Sequence, residues 1–166
     1  MPAAPVGGEY RLTDHFGRTV TPASFADRYT LYFFGFTHCK VVCPETLGRL
    51  SSAIERSGVP SEKLQPLYVT VDPTRDTPER MRSFLEASFP RFVGLTGDAD
   101  AIEHAKGLFK VYAERRADPD DPAGYEMPHS AFSFLMDLSG DCVTYFTTVA
   151  TVDDIAERLR TVIGKG

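Results

Sequence analysis

Cys39 and Cys43, with three residues between them, are the side chains whose type and spacing point most directly to chemistry. Thiolate is the form of cysteine that ligates metals and attacks disulfides. A three-residue spacer can be bridged by a disulfide or can clamp one soft ion, so the pair alone does not separate metal from redox chemistry. The plain alternative is two packed core cysteines, although such cysteines are seldom paired at a strand–helix junction. Two sulfurs are too few for a four-coordinate structural zinc site. There is no second pair, because the third cysteine, Cys142, stands alone and reads as a packed or partly exposed free thiol. A metal held here must accept soft ligands and low coordination. Copper(I) fits best, and copper(II) can be held if an imidazole joins.

Four histidines are available. His38 adjoins Cys39, but consecutive side chains diverge, so its expected role is tuning or packing. His15 falls in a predicted turn and is expected to be solvated. His104 lies off the apolar stripe of a predicted helix and is expected to be exposed. His129 closes the stretch Tyr125-Glu126-Met127-Pro128-His129 and comes just before a predicted buried strand. A histidine in that place is more often structural than ligating, and only context can change that reading. Met127 is either a soft ligand or a gap-filling hydrophobe. Asp72 and Asp76 could support a site or meet a partner; their ordinary reading is loop and helix-capping chemistry.

The elements that must position these residues follow from hydrophobic patterning. Thr30 to Phe36 is a continuous β-prone apolar run, the signature of a strand buried on both faces. After Pro44, the residues Leu47, Leu50 and Ile54 recur at helical spacing, and proline suits a helix's first turn. The residue before a proline avoids the α region, so Cys43 is expected at or just outside the helix start. The pair therefore sits at the carboxyl end of a buried strand, where open α/β sheets place their sites. A helix N-terminus there, with Lys40 beside it, favours the thiolate.

Further strands are expected at Leu64–Val71 and Phe92–Leu95, and a helix capped by Thr77 with Pro78 in its first turn. Ala101 to Phe109 reads as an amphipathic helix. Arg116 to Gly124, rich in Asp and Pro, reads as an exposed loop. Ala131–Met136 and Val143–Phe146 flank a turn and pair as a hairpin, and a last helix capped by Thr151 presents Ile155, Leu159, Val162 and Ile163. A first hairpin turns at Asp14-His15-Phe16-Gly17. This order predicts an α/β fold with a central mixed β-sheet of thioredoxin type, flanked by helices and preceded by an N-terminal hairpin.

The 166 residues suit one domain, expected over 10–166, with 1–9 as a flexible N-terminal linker. A 42% hydrophobic and 25% charged composition is ordinary for a globular protein. The net charge of -5 and the lack of any Lys/Arg-rich run argue against nucleic acid as a partner. No apolar run approaches the roughly 20 residues that cross a bilayer. Either the protein is cytoplasmic or a leader or anchor is expected beyond Met1; Met1-Pro2-Ala3-Ala4-Pro5 reads as a linker cut at its outer end, which favours the second.

Three stretches together resemble the SCO/SenC family. Gly35-Phe36-Thr37-His38-Cys39-x-x-x-Cys43-Pro44 is similar to its copper-site motif. Val71-Asp72-Pro73-x-Arg75-Asp76-Thr77-Pro78 is similar to its second signature, and His129-Ser130 ahead of a strand ending in Asp137-x-x-Gly140 to its third. Order and spacing agree from about Tyr10 to Ile163. The resemblance implies a thioredoxin-like fold and copper held by Cys39, Cys43 and His129. It also implies a role in assembling cytochrome c oxidase, with the copper-bearing subunit or another copper protein as partner. The expected location is periplasmic, or membrane-anchored facing the periplasm, or the mitochondrial intermembrane space.

Two positions depart from the family pattern. Lys40-Val41 replaces the usual Pro-Asp, and Pro128 replaces an aspartate. The first change removes an acid and adds a base beside the thiols, so a lower thiol pKa is expected; the second is expected to shift the histidine loop. The expected function is that of a copper metallochaperone. The rival is a thiol–disulfide oxidoreductase in which Cys39 and Cys43 are the catalytic dithiol that reduces the copper acceptor's cysteines. A peroxidase fits less well, since Thr37 is two residues before Cys39 and peroxiredoxins place threonine three before theirs.

Overall fold

The computed structural model describes residues 6–37, 42–111, 116–118, 121–126 and 132–164, with 42–43, 116–118 and 121–126 described by backbone. The apolar run expected as a buried strand forms β3 (Tyr29–Gly35), in which Leu31, Phe33 and Phe34 have no solvent exposure. Successive side chains on a strand point to opposite faces. Tyr32 and Phe34 accordingly join one hydrophobic cluster, and Leu31 and Phe33 the other.

Around β3 the sheet is built in the order β2-β1-β5-β4-β3-β8-β9. Its members are β1 (Leu12–Asp14), β2 (Thr19–Val20), β4 (Leu64–Thr70), β5 (Val93–Thr96), β8 (Ser133–Met136) and β9 (Cys142–Phe146). β3, β4 and β5 are parallel. β1 and β2 form the N-terminal hairpin, with β1 antiparallel to β5. β8 is antiparallel to β3, and β9 to β8. One cluster gathers residues of α1 (Val42–Ser57), α2 (Pro78–Ser88) and α4 (Val152–Ile163); the other gathers those of α3 (Ala99–Leu108). The mixed sheet with helices on both faces is the predicted thioredoxin-like α/β fold.

The expected caps are present. Thr77 Oγ1 accepts from the Arg80 N–H, and Thr151 Oγ1 accepts from the Asp154 N–H. Each satisfies a donor that the first helical turn leaves unpaired. Of the segment expected as a linker, residues 1–5 lie outside the described residues. Val6 is buried and the Gly7 N–H donates to the Leu108 carbonyl (2.9 Å).

Two expectations are corrected. The stretch Arg116–Gly124 is not a plain loop. It contributes β6 (Arg116–Asp118) and most of β7 (Asp121–Glu126), a separate antiparallel pair. The register shifts between Ala117 and Asp118, and such an irregularity accommodates a proline, Pro122, within a strand. The second correction concerns His15, which is buried rather than solvated. Pairing of Asp14 with Leu95 carries it alongside β5, where its Nδ1 accepts from the Gly94 N–H (2.9 Å).

Candidate metal centre

The structure places the first expected ligand region at the carboxyl end of β3 and the start of α1. α1 begins at Val42, so Cys43 is its second residue rather than at or outside its start. Pro44 is then the third residue, where the missing N–H still falls among the four that need no intrahelical acceptor. Glu45 also lies in this first turn. His38, Cys39, Lys40, Val41, Met127, Pro128 and His129 lie outside the described residues, as does the side chain of Cys43. Among the described residues no group of three or more His, Cys, Asp or Glu side chains could hold a metal ion.

What the fold fixes is where the flanking chain arrives. β3 and β8 run antiparallel with Phe33 opposite Ser133. The end of β3, which leads to Cys39, and the beginning of β8, which follows His129, therefore lie at the same end of the sheet. β4 is parallel to β3, with Gly35 opposite Thr70. Its exit delivers the loop from Asp72 to Asp76 to that end too.

A buried network ties these exits together. Asp76 has no solvent exposure. Its Oδ2 accepts from the Thr37 N–H (3.0 Å) and from Thr70 Oγ1 (2.7 Å), and its Oδ1 accepts from Thr37 Oγ1. Its own carbonyl accepts from Thr96 Oγ1 (2.8 Å), which attaches β5. From α2, Arg80 Nε donates to Thr37 Oγ1 (3.1 Å). Buried polar groups are costly unless they are bonded, and here the strand ends supply the bonds.

Asp72, also buried, receives Arg75 Nε on Oδ2, while its N–H donates to Thr70 Oγ1 (2.9 Å). The Arg75 guanidinium lies 5.7 Å from the Phe36 ring centroid, within cation–π range. Helix capping, part of the ordinary reading of the two aspartates, is performed by Thr77 instead. Asp76 points inward, to the strand that precedes the cysteines. Sequence reasoning singled out Asp76 but not its link to Thr37, Thr70 and Thr96, nor that of Arg80 to Thr37. Only the register of β3, β4 and β5 brings them together.

Of the other candidates, Cys142 is a free, half-buried thiol on the edge strand β9, as expected. Its S–H donates to the Thr144 carbonyl, and burial pushes its pKa up. His104 is exposed, with Nε2 at 2.8 Å from the Glu9 carbonyl. Neither lies at the end of the sheet where β3 and β4 exit.

Comparison with known proteins bears on the same region. The sequence model of the family described as SCO1/SenC matches residues 1–164. The Schizosaccharomyces pombe protein named Protein sco1 is 36% identical over 159 residues, covering 93% of this chain and 59% of that protein. The chain thus spans less than two thirds of this relative's length. Among solved structures, Bradyrhizobium japonicum ScoI with copper bound is 36% identical, with a TM-score of 0.84 over 94% of this chain and 98% of that one. Arabidopsis thaliana ScoI with copper bound is 27% identical, with a TM-score of 0.88 over 94% and 96%.

Proposed function

This chain belongs to the SCO1/SenC family, and from that premise we propose that it is a copper metallochaperone whose ion is held by Cys39, Cys43 and His129. The observation that carries the proposal is the antiparallel pairing of β3 with β8. It brings the chain before β8, in which His129 stands, to the sheet end where β3 leads into the cysteine pair. Solved relatives of the same fold hold copper. Two thiolates and an imidazole form a soft, low-coordinate set suited to copper(I), with the imidazole also making copper(II) tolerable.

Each residue has a distinct task in this reading. Cys43 stands in the first turn of α1, where the helix N-terminus favours negative charge and hence the thiolate. Cys39 supplies the second sulfur from the preceding loop, and His129 closes the site from another segment. An ion with so few ligands can pass to an acceptor by exchange, because an incoming ligand can bond before the old ones leave. Oxidation of the two thiols to a disulfide removes both sulfur ligands and releases the metal. The acceptor in this reading is the copper-bearing subunit of cytochrome c oxidase. The working compartment is the periplasm or the mitochondrial intermembrane space. No helix among the described residues is long and apolar enough to cross a membrane.

The test is a copper(I) titration of the reduced protein alongside Cys39→Ala, Cys43→Ala and His129→Ala. Wild type should bind one equivalent, and each variant should lose tight binding. A reduced wild type that takes up no copper at equimolar metal would end this reading. The position of Cys43 in a helix's first turn also suits a thiol–disulfide oxidoreductase. Reduction of an acceptor disulfide by His129→Ala at the wild-type rate would favour that second role, since dithiol exchange does not need the imidazole.

A further inference from the structure

Resting on the copper reading, we propose that Asp76 is the positioning residue of the copper loop. Acting through Thr37, its carboxylate fixes where the chain leaves β3 for Cys39, and so sets how the thiols meet the metal. Thr37 stands two residues before Cys39 and is the last described residue of that exit. Asp76 holds it twice, by backbone N–H and by side-chain hydroxyl. Two bonds to one residue fix its orientation as well as its position.

Simple fastening of the sheet needs much less than this. The tie to β5 uses the Asp76 carbonyl, and the tie within its own loop uses the Asp76 N–H, which donates to the Asp72 carbonyl (3.0 Å). Any residue type except proline could supply both. Only the carboxylate reaches the exit of β3, and it accepts three hydrogen bonds there from Thr37 and Thr70. An ionised carboxylate is acceptor-only, with about four lone-pair sites. It can therefore take all three donors at once. An asparagine of the same shape would turn an N–H2 towards one of them. Arg80 Nε already donates to Thr37 Oγ1, which steers the hydroxyl proton of Thr37 to Asp76. Groups that orient the ligands of a metal site from behind typically contribute about 10–100-fold in metal affinity.

The experiment compares reduced wild type with Asp76→Asn, Thr37→Val and Thr96→Val. Three readouts are taken: copper(I) affinity by competition with bicinchoninate, the copper(II)–thiolate charge-transfer band, and the melting temperature of the metal-free protein. Asp76→Asn should weaken copper(I) binding by about 10–100-fold and move the band. Thr37→Val, which loses one of the two bonds to Asp76, should do so to a smaller degree. Thr96→Val should lower the melting temperature and leave affinity and band in place, because its bond goes to the Asp76 carbonyl. Should Asp76→Asn fail to fold, Thr37→Val decides. Wild-type affinity and an unmoved band in the folded variants would overturn the inference. So would a loss of affinity in Thr96→Val that matches its loss of stability. A wild type that takes up no copper sinks the functional reading itself, whereas copper uptake indifferent to Asp76 and Thr37 sinks only this inference.

Discussion

Phe33 and Ser133 stand opposite each other across the antiparallel pair β3–β8. From Phe33 the chain runs on to Cys39, and from Ser133 it runs back to His129. Each residue of extended chain spans at most about 3.6 Å, so His129 can lie no more than roughly 14 Å along the chain from that pairing. The proposed ligands, distant in sequence, thus share one anchor point.

Lengthening that tether should weaken the site. Insertion of four glycines between Ala131 and Phe132 doubles the link from Ser133 to His129. Doubling a flexible loop costs about 0.6 kcal/mol in closure entropy, or roughly threefold. A loss of copper(I) affinity of at least that size is expected, with the melting temperature of the metal-free protein unchanged. Affinity unaffected by the insertion would mean that β8 does not set the reach of the imidazole.

Much of this arrangement was legible in the sequence because it depends on local rules. Continuous apolar, β-prone runs gave β3 and β4, capping threonines gave the starts of α2 and α4, and a turn between apolar runs gave β8 and β9. The fold class followed from their order. The β6–β7 pair was hidden because Pro and Asp normally signal a loop, and only cross-strand pairing of Arg116 with Glu126 makes it a hairpin. His15 was misjudged for a related reason. A turn residue is ordinarily wet, but the pairing of β1 with β5 brings this one against Gly94. The inward role of Asp76 was invisible because its partners come from β4, β5 and the exit of β3. Three motifs in register pointed to Cys39, Cys43 and His129, two of which lie outside the described residues.

Stability should depend on pH through His15. Its Nδ1 accepts the Gly94 N–H, so the proton of the neutral ring is on Nε2. Burial lowers its pKa. Asp14 and Glu86 oppose the shift, while Arg82 and Arg18 reinforce it. The unfolded chain then takes up the proton more readily than the folded one. The stabilising contribution is present above the unfolded pKa of about 6.5 and is lost as pH falls through the lower folded value. Urea midpoints of the metal-free protein should fall between pH 7.5 and 5. The drop should be smaller in His15→Gln, whose amide oxygen can accept the same bond. Parallel pH profiles would show that His15 does not titrate differently on folding.

Tyr10 and Tyr32 share a buried hydroxyl–hydroxyl bond of 2.8 Å. Tyr32→Phe and Tyr10→Phe should each leave the other hydroxyl without this partner and cost about 1–3 kcal/mol. The double variant should be less destabilised than the sum of the two. Burial pushes both phenol pKa values up. The neutral forms therefore stabilise the fold below the unfolded value of about 10, and this is lost as pH rises towards the folded values. Denaturation at pH 8 and 11 should show a steeper alkaline loss in wild type than in the double variant. Additive costs with equal alkaline slopes would contradict the pairing.

Cys142 should behave as a bystander, and its kinetics should say so. Burial raises its pKa, a backbone hydrogen bond of Thr144 opposes the shift, and Asp137 adds to it. Since only thiolate reacts, Cys142 should be modified slowly at pH 8. Cys39 and Cys43 should react faster, the latter helped by the first turn of α1. Labelling of the reduced protein with iodoacetamide should then give two fast equivalents and one slow. Cys142→Ser should delete the slow phase alone and bind one copper(I) with unchanged affinity. If it instead removed a fast phase or lowered the copper stoichiometry, the metal site would have to include β9. The imidazole-and-two-sulfur assignment would then need a third sulfur, from a strand two places from β3 in the sheet.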